Sequence, residues 1–156
     1  MTTSDPLAQA ELTYLLGLGF QLVLGEFVGR LDAAGQGELR PVHGFVFQAL
    51  RGGATGTELA ERLGVTKQAA GQLADDLEAR GYVRREPHPQ GGRRRLIVLT
   101  PKAEEHLRIA GRVLHGLEAE LGGRLGDREL AALRVQLARV IRELAGDRLP
   151  ALRPQW

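Results

Sequence analysis

Gln68 and Gln72 lie four residues apart, with Lys67 just before the first and Gly71 between them. On a helix, positions i and i+4 sit one turn apart on the same face. Each glutamine amide there can bond bidentately to an adenine edge in the DNA major groove, while the lysine reaches a phosphate. Gly71 would let the helix backbone come close to the duplex. Taken alone, the face also describes an ordinary solvated helix, since Lys and Gln are common helix formers. A second group adds weight. Arg80, Arg84, Arg85, Arg93, Arg94 and Arg95 fall within residues 80–95 against Glu86 alone, a local charge of +5. The 156-residue chain as a whole carries only +2, so the remainder is slightly acidic. Positive charge gathered in one short segment suits a polyanion-binding surface, although a solvated arginine-rich loop has the same composition.

These side chains need a frame, and the apolar spacing supplies one. Asp5-Pro6 reads as a helix start, followed by a stripe at Leu12, Leu16, Phe20, Val23, Phe27 and Leu31. The chain breaks at Gly35-Gln36-Gly37, and Pro41 opens a second helix through Leu50, closed by Arg51-Gly52-Gly53. Thr55-Gly56-Thr57-Glu58 has capping-box spacing for a third helix ending at Gly64, and Thr66 caps a fourth running to about Arg80. Residues 82–86 and 95–99 read as strands around a Pro- and Gly-rich turn. Thr100-Pro101 starts a long helix striped at Leu107, Ala110, Leu114, Leu117 and Leu121, weakened or kinked at Gly122-Gly123. Asp127 is expected to cap the last helix, striped at Leu130, Leu133, Leu137, Val140 and Leu144, before a Pro-punctuated tail to Trp156. The fold class is mainly α with a small β-hairpin, in the order α-α-α-α-β-β-α-α.

Within this order, Gly56 to Leu77 has the pattern of a helix-turn-helix. Ala60 is the small residue where two steeply crossed helices touch, and Gly64 supplies the tight turn. Leu59, Leu63, Val65, Ala70, Leu73 and Leu77 then face inward, leaving Thr66, Lys67, Gln68, Gly71, Gln72 and Asp75 outward. A basic hairpin directly after the second helix makes the winged variant. Arg93 and Arg94 stand beside the flexible Gly91-Gly92 tip, and arginine is the side chain favoured in narrow minor grooves. The candidate DNA contacts are Thr55, Thr66, Lys67, Gln68, Gln72, Arg84, Arg93 and Arg94.

The stretch Thr57-Glu58-Leu59-Ala60-Glu61-Arg62-Leu63-Gly64-Val65-Thr66, with Leu77-Glu78-Ala79-Arg80-Gly81-Tyr82-Val83, Pro87-His88-Pro89 and Leu99-Thr100-Pro101-Lys102-Ala103, resembles the multiple-antibiotic-resistance regulators, the MarR family. The resemblance is densest over residues 40–106, and the element order agrees over essentially the whole chain. It implies a winged helix-turn-helix held in dimers by interleaved N- and C-terminal helices, a ligand pocket between the layers, and near-palindromic operators. In this sequence those parts are residues 1–36 (N-terminal dimerisation helix), 37–100 (winged helix-turn-helix), 101–146 (C-terminal dimerisation helices) and 147–156 (tail), one intertwined domain overall. The expected function is a sequence-specific regulator of transcription on double-stranded DNA, a repressor modulated by an unidentified small-molecule effector. One departure stands out: Gly91-Gly92-Arg93 occupies the wing tip where the family carries Asp-Arg-Arg, which leaves open which arginine enters the minor groove. The apolar stripes independently predict a homodimer, because a small central unit cannot bury three such helices.

Other chemistries find little support. There is no cysteine, which removes disulfides, thiolate metal sites and thiol switches. No phosphate-binding glycine loop, nucleophile elbow or paired-carboxylate arrangement points to an enzyme, and no cofactor is implied. His43, with Glu104, Glu105 and His106, raises a zinc-responsive alternative, but position 110 is Ala and His115 is off the His106 face, so no metal site is expected. His88 is expected to be solvated. A winged-helix protein-interaction module is the other alternative, opposed by the basic wing. Tyr14, Phe20, His43 and Phe47 are candidate effector contacts, although an aromatic at helical spacing belongs more often to a core than to a pocket. The N-terminus has no basic segment and no apolar run approaches membrane-spanning length, so a cytoplasmic protein without a membrane partner is expected.

Overall fold

A computed structural model describes residues 5–153, which fall into two compact units dividing between Glu38 and Leu39. In the first, Asp5 caps only a short 3-10 turn, Pro6–Gln9, before helix α1 runs from Leu12 to Ala33. The start signal at Asp5-Pro6 is genuine, but Ala10 is extended and separates the two pieces. Not one residue of α1 is buried, although it carries leucines on every side. Its length and composition would also let it cross a membrane, which corrects the expectation that no apolar run approaches that length.

The second unit begins with α2 (Pro41–Ala49), α3 (Gly56–Leu63) and α4 (Lys67–Ala79). Strands β1 (Val83–Pro87) and β2 (Arg95–Leu99) follow, then α5 (Pro101–Leu125) and α6 (Asp127–Ala145). The capping box forms as its spacing predicts: the Thr55 N–H donates to Glu58 Oε2 at 2.7 Å and the Glu58 N–H to Thr55 Oγ1 at 3.3 Å. Gly64 ends α3 at φ +69°, a left-handed conformation that only glycine adopts cheaply. The strands pair antiparallel from Val83↔Leu99 to Pro87↔Arg95. Ala54 adds a short third rung to this ladder, exchanging backbone hydrogen bonds with Ile97 at 3.1 and 2.8 Å. One isolated residue between helices has no strand periodicity, so nothing in the sequence signals it.

The core lies under the hairpin and the three short helices. Phe47, Leu50, Leu59, Leu77 and Val83 are fully buried there, with Ala60, Ala70 and Ala74 where helices approach closely. Two sequence expectations fail further on. α5 continues through Gly122-Gly123 to Leu125, with Gly122 itself buried. Asp127 is the first residue of α6 rather than its cap; Gly126 takes the cap position without a side-chain bond. Like α1, α6 buries no residue, and Leu133, Val135, Ile141 and Leu144 are each at least half exposed.

Candidate nucleic-acid interface

α4 is fixed at its start by Thr66, whose Oγ1 accepts the Ala69 N–H at 3.1 Å. Its inner face, Ala70, Ala74 and Leu77, is buried against α3 and the hairpin. Lys67, Gln68 and Gln72 are thereby left exposed, as the spacing predicts. Around the helix these residues divide between two sides. Lys67 and Gly71 line a cleft of about 600 Å³ shared with Thr55, Arg85, Arg94 and Arg95. Gln72 lies on the opposite flank, beside Ala69, Asp76 and Arg40. A glycine in mid-helix costs about 1 kcal/mol relative to alanine, so Gly71 is not there for the helix.

The wing is a tight loop. The His88 N–H donates to Arg94 O at 3.2 Å, the Gly91 N–H donates to His88 O at 2.8 Å, and Gly91 and Gly92 both have positive φ. His88 is not simply solvated, because its Nδ1 accepts the Gln90 N–H at 3.2 Å. Three of the six arginines of this segment are paired with carboxylates inside the protein. Arg84 pairs with Glu86 at 2.6 Å and Arg80 with Asp76 at 2.9 Å. Arg85 bridges Asp75, at 2.6 Å, and Glu78, both on α4. Arg95 donates to the Arg85 carbonyl oxygen at 3.0 Å and keeps its charge without a carboxylate partner. Among the described residues, the Arg93 and Arg94 side chains have no hydrogen-bond or ion-pair partner and stand exposed at the tip. Arg84 is therefore a weaker DNA candidate than the tip arginines, its charge already matched by a neighbour on the same strand. Arg85, absent from the candidate contacts, has a structural role that sequence spacing did not reveal: it ties the wing strand to α4 by pairing with Asp75 and Glu78.

A polar junction holds α4 to α2. His43 is completely buried, and its Nδ1 accepts the Arg40 N–H at 2.9 Å, capping α2. The proton of the neutral ring therefore sits on Nε2, which is 3.1 Å from Asp76 Oδ2, close but poorly aligned for a hydrogen bond. Burial holds the imidazole below its ordinary range; Arg40 and Arg80 push the same way, and Asp76 opposes them. The bond from Arg80 keeps Asp76 ionised below the usual carboxylate range. The backbone N–H of Thr55 does the same for Glu58.

The other effector candidates scatter. Phe47 is buried in an aromatic group with Tyr82 and His106, ring centroids 5.8 and 5.6 Å away. Tyr14 and Phe20 are more than half exposed on α1. His106 is spent in that core, and no group of three or more potential metal-ligating side chains occurs among the described residues.

Two crossed helices, a left-handed glycine turn and a basic hairpin with a free arginine tip define a winged helix-turn-helix DNA-binding protein. A sequence model of the MarR family matches residues 47–94, from the end of α2 to the wing tip. Among solved structures, the DNA-bound transcriptional repressor CouR is 27% identical, with a TM-score of 0.67 over 83% of this chain and 92% of its own. Wild-type MarR from E. coli is 24% identical, with a TM-score of 0.68 over 85% and 98%. The transcriptional regulator Tm0710 from Thermotoga maritima is 23% identical, with a TM-score of 0.68 over 87% and 97%. No protein of curated function matches the chain. Over residues 47–94 the chain matches the MarR family model, and it shares the winged-helix fold of these DNA-binding transcription regulators.

Proposed function

We propose that this protein is a homodimeric repressor that reads a near-palindromic operator and is modulated by a small-molecule effector. The observation that carries the DNA part is the shared cleft: Lys67 from the recognition helix α4 and Arg94 from the wing line one concavity, with Gln68 exposed next to Lys67 and Gln72 exposed on the other flank of α4. Lys67, Arg93 and Arg94 bind phosphate or the minor groove, Gln68 and Gln72 read base edges, and the cap residues Thr55, half-buried, and Thr66, exposed, flank them. The wholly unburied α1 and α6 support the homodimer, because leucine faces of this size are stable in water only when a second copy covers them. Repression is supported by CouR, which is a repressor bound to DNA. Of the effector candidates, Tyr14 and Phe20 retain exposed ring area for a ligand, whereas His43 and Phe47 are committed to the cap and the core.

The test begins by selecting an operator from a random duplex pool, then titrating it and a scrambled duplex at one fixed salt concentration. A bidentate glutamine–adenine pair contributes about 1–3 kcal/mol of base discrimination. Gln68→Ala and Gln72→Ala should each weaken operator binding and spare the scrambled duplex, while Lys67→Ala weakens both. Equal losses for the two duplexes in both glutamine variants, or none in either, would place the reading face elsewhere on α4.

A further inference from the structure

Gly71 sits in the middle of α4, where alanine would make a stronger helix. Nothing inside the protein asks for glycine there. Its φ is not positive, and a Cβ added to it would meet no atom within 4 Å. What distinguishes the position is its outlook: Gly71 lines the cleft one turn beyond Lys67, facing Arg94 and Arg95 of the wing. Adjacent grooves of a duplex are separated by one sugar–phosphate strand. With α4 in a major groove and the wing tip in the flanking minor groove, that strand must pass between helix and wing, through this cleft, where Lys67, Arg85, Arg94 and Arg95 outnumber Glu58 and Glu61.

We infer that Gly71 is the floor of a channel for one DNA strand: its bare Cα lets the sugar–phosphate backbone seat against α4 between Lys67 and the wing arginines. A methyl group at this position lifts the strand off both walls. The inference rests on the DNA-binding reading above and adds to it a residue that makes its contribution by having no side chain.

The experiment compares full-length Gly71→Ala and Gly71→Ser with Gly44→Ala. Gly44 lies in α2, also has nothing within 4 Å of an added Cβ, and is not part of the cleft. Each variant is melted, then titrated with the selected operator and with a fluorescein-labelled random-sequence duplex of about three helical turns. Both alanine variants should gain about 2–4 °C in Tm, and Gly71→Ser less. Only the Gly71 variants should weaken binding, about tenfold and equally for the two duplexes, because a backbone contact carries no base information. The inference is overturned if both Gly71 variants bind like wild type. It is also overturned if they lose affinity for the operator alone, which would put a base edge rather than a strand over Gly71. A wild-type chain that binds neither duplex overturns the DNA-binding reading, and this inference with it.

Discussion

Replacing His43 tests how the recognition helix is anchored. The ring does two separable jobs: Nδ1 accepts the Arg40 N–H at 2.9 Å, and Nε2 faces Asp76 of α4 at 3.1 Å. His43→Ala removes both and empties a fully buried site, so cap loss, cavity and stranded polar groups together should cost about 3 kcal/mol. At about 2–4 °C per kcal/mol for a chain of this size, that is a fall in Tm of about 6–12 °C. His43→Asn keeps an acceptor near the Nδ1 position and should lose only about 1 kcal/mol. A pH series adds a second readout. The folded chain holds His43 below the unfolded value of about 6.5, so below that pH the unfolded state binds more protons. The contribution is therefore complete above about pH 6.5 and is lost as pH falls from there towards the folded-state value. The Asn variant has no titrating group at position 43 while its other histidines are unchanged, so its Tm should decline less than that of wild type between about pH 6.5 and 5, and losses from Asp76 come at lower pH. Differential scanning calorimetry of the three proteins decides the matter. Equal Tm losses in the Ala and Asn variants, or identical acid slopes in wild type and Asn, would refute the two-job account.

Three further outcomes follow from the charges and the bare helices. Arg85→Ala should cost only about 1 kcal/mol of stability, because both its ion pairs are partly exposed. It should nevertheless weaken every duplex several-fold by uncovering Asp75 and Glu78. Arg93→Ala and Arg94→Ala should instead flatten the salt dependence by about 0.9 for each phosphate no longer neutralised. Unchanged affinity in the Arg85 variant at low salt would show that α4 does not face phosphate. Light scattering at micromolar concentration should give about twice the 17.0 kDa chain mass, and a clean monomer would leave the exposed faces of α1 and α6 without the partner proposed here.

The sequence alone determined the parts whose physics is local. The Thr55–Glu58 box, the Gly64 turn, the Thr66 cap and the glycine-tipped hairpin each depend on side chains within a few residues of the backbone groups they satisfy. The outward set Lys67, Gln68, Gly71 and Gln72 was legible for the same reason, since helical periodicity assigns a face without knowing what lies behind it. Local signals were also where sequence reasoning overreached. Gly122-Gly123 looked like a helix breaker, yet propensity there is outweighed by burial of Gly122 and the packing of α5 against α6. Only the tertiary structure decided which charges are spent and which are free. Arg84, Arg85, Arg93 and Arg94 are indistinguishable as sequence, and what separates them is that β1 crosses α4 beside Asp75 and Glu78 while the loop tip reaches past every carboxylate. The same holds for His43, a candidate ligand contact in the sequence and a buried cap in the fold, because the crossing of α2 over α4 sets what surrounds its ring. Ion pairing and burial are properties of approach between distant segments, and no spacing rule along the chain contains them.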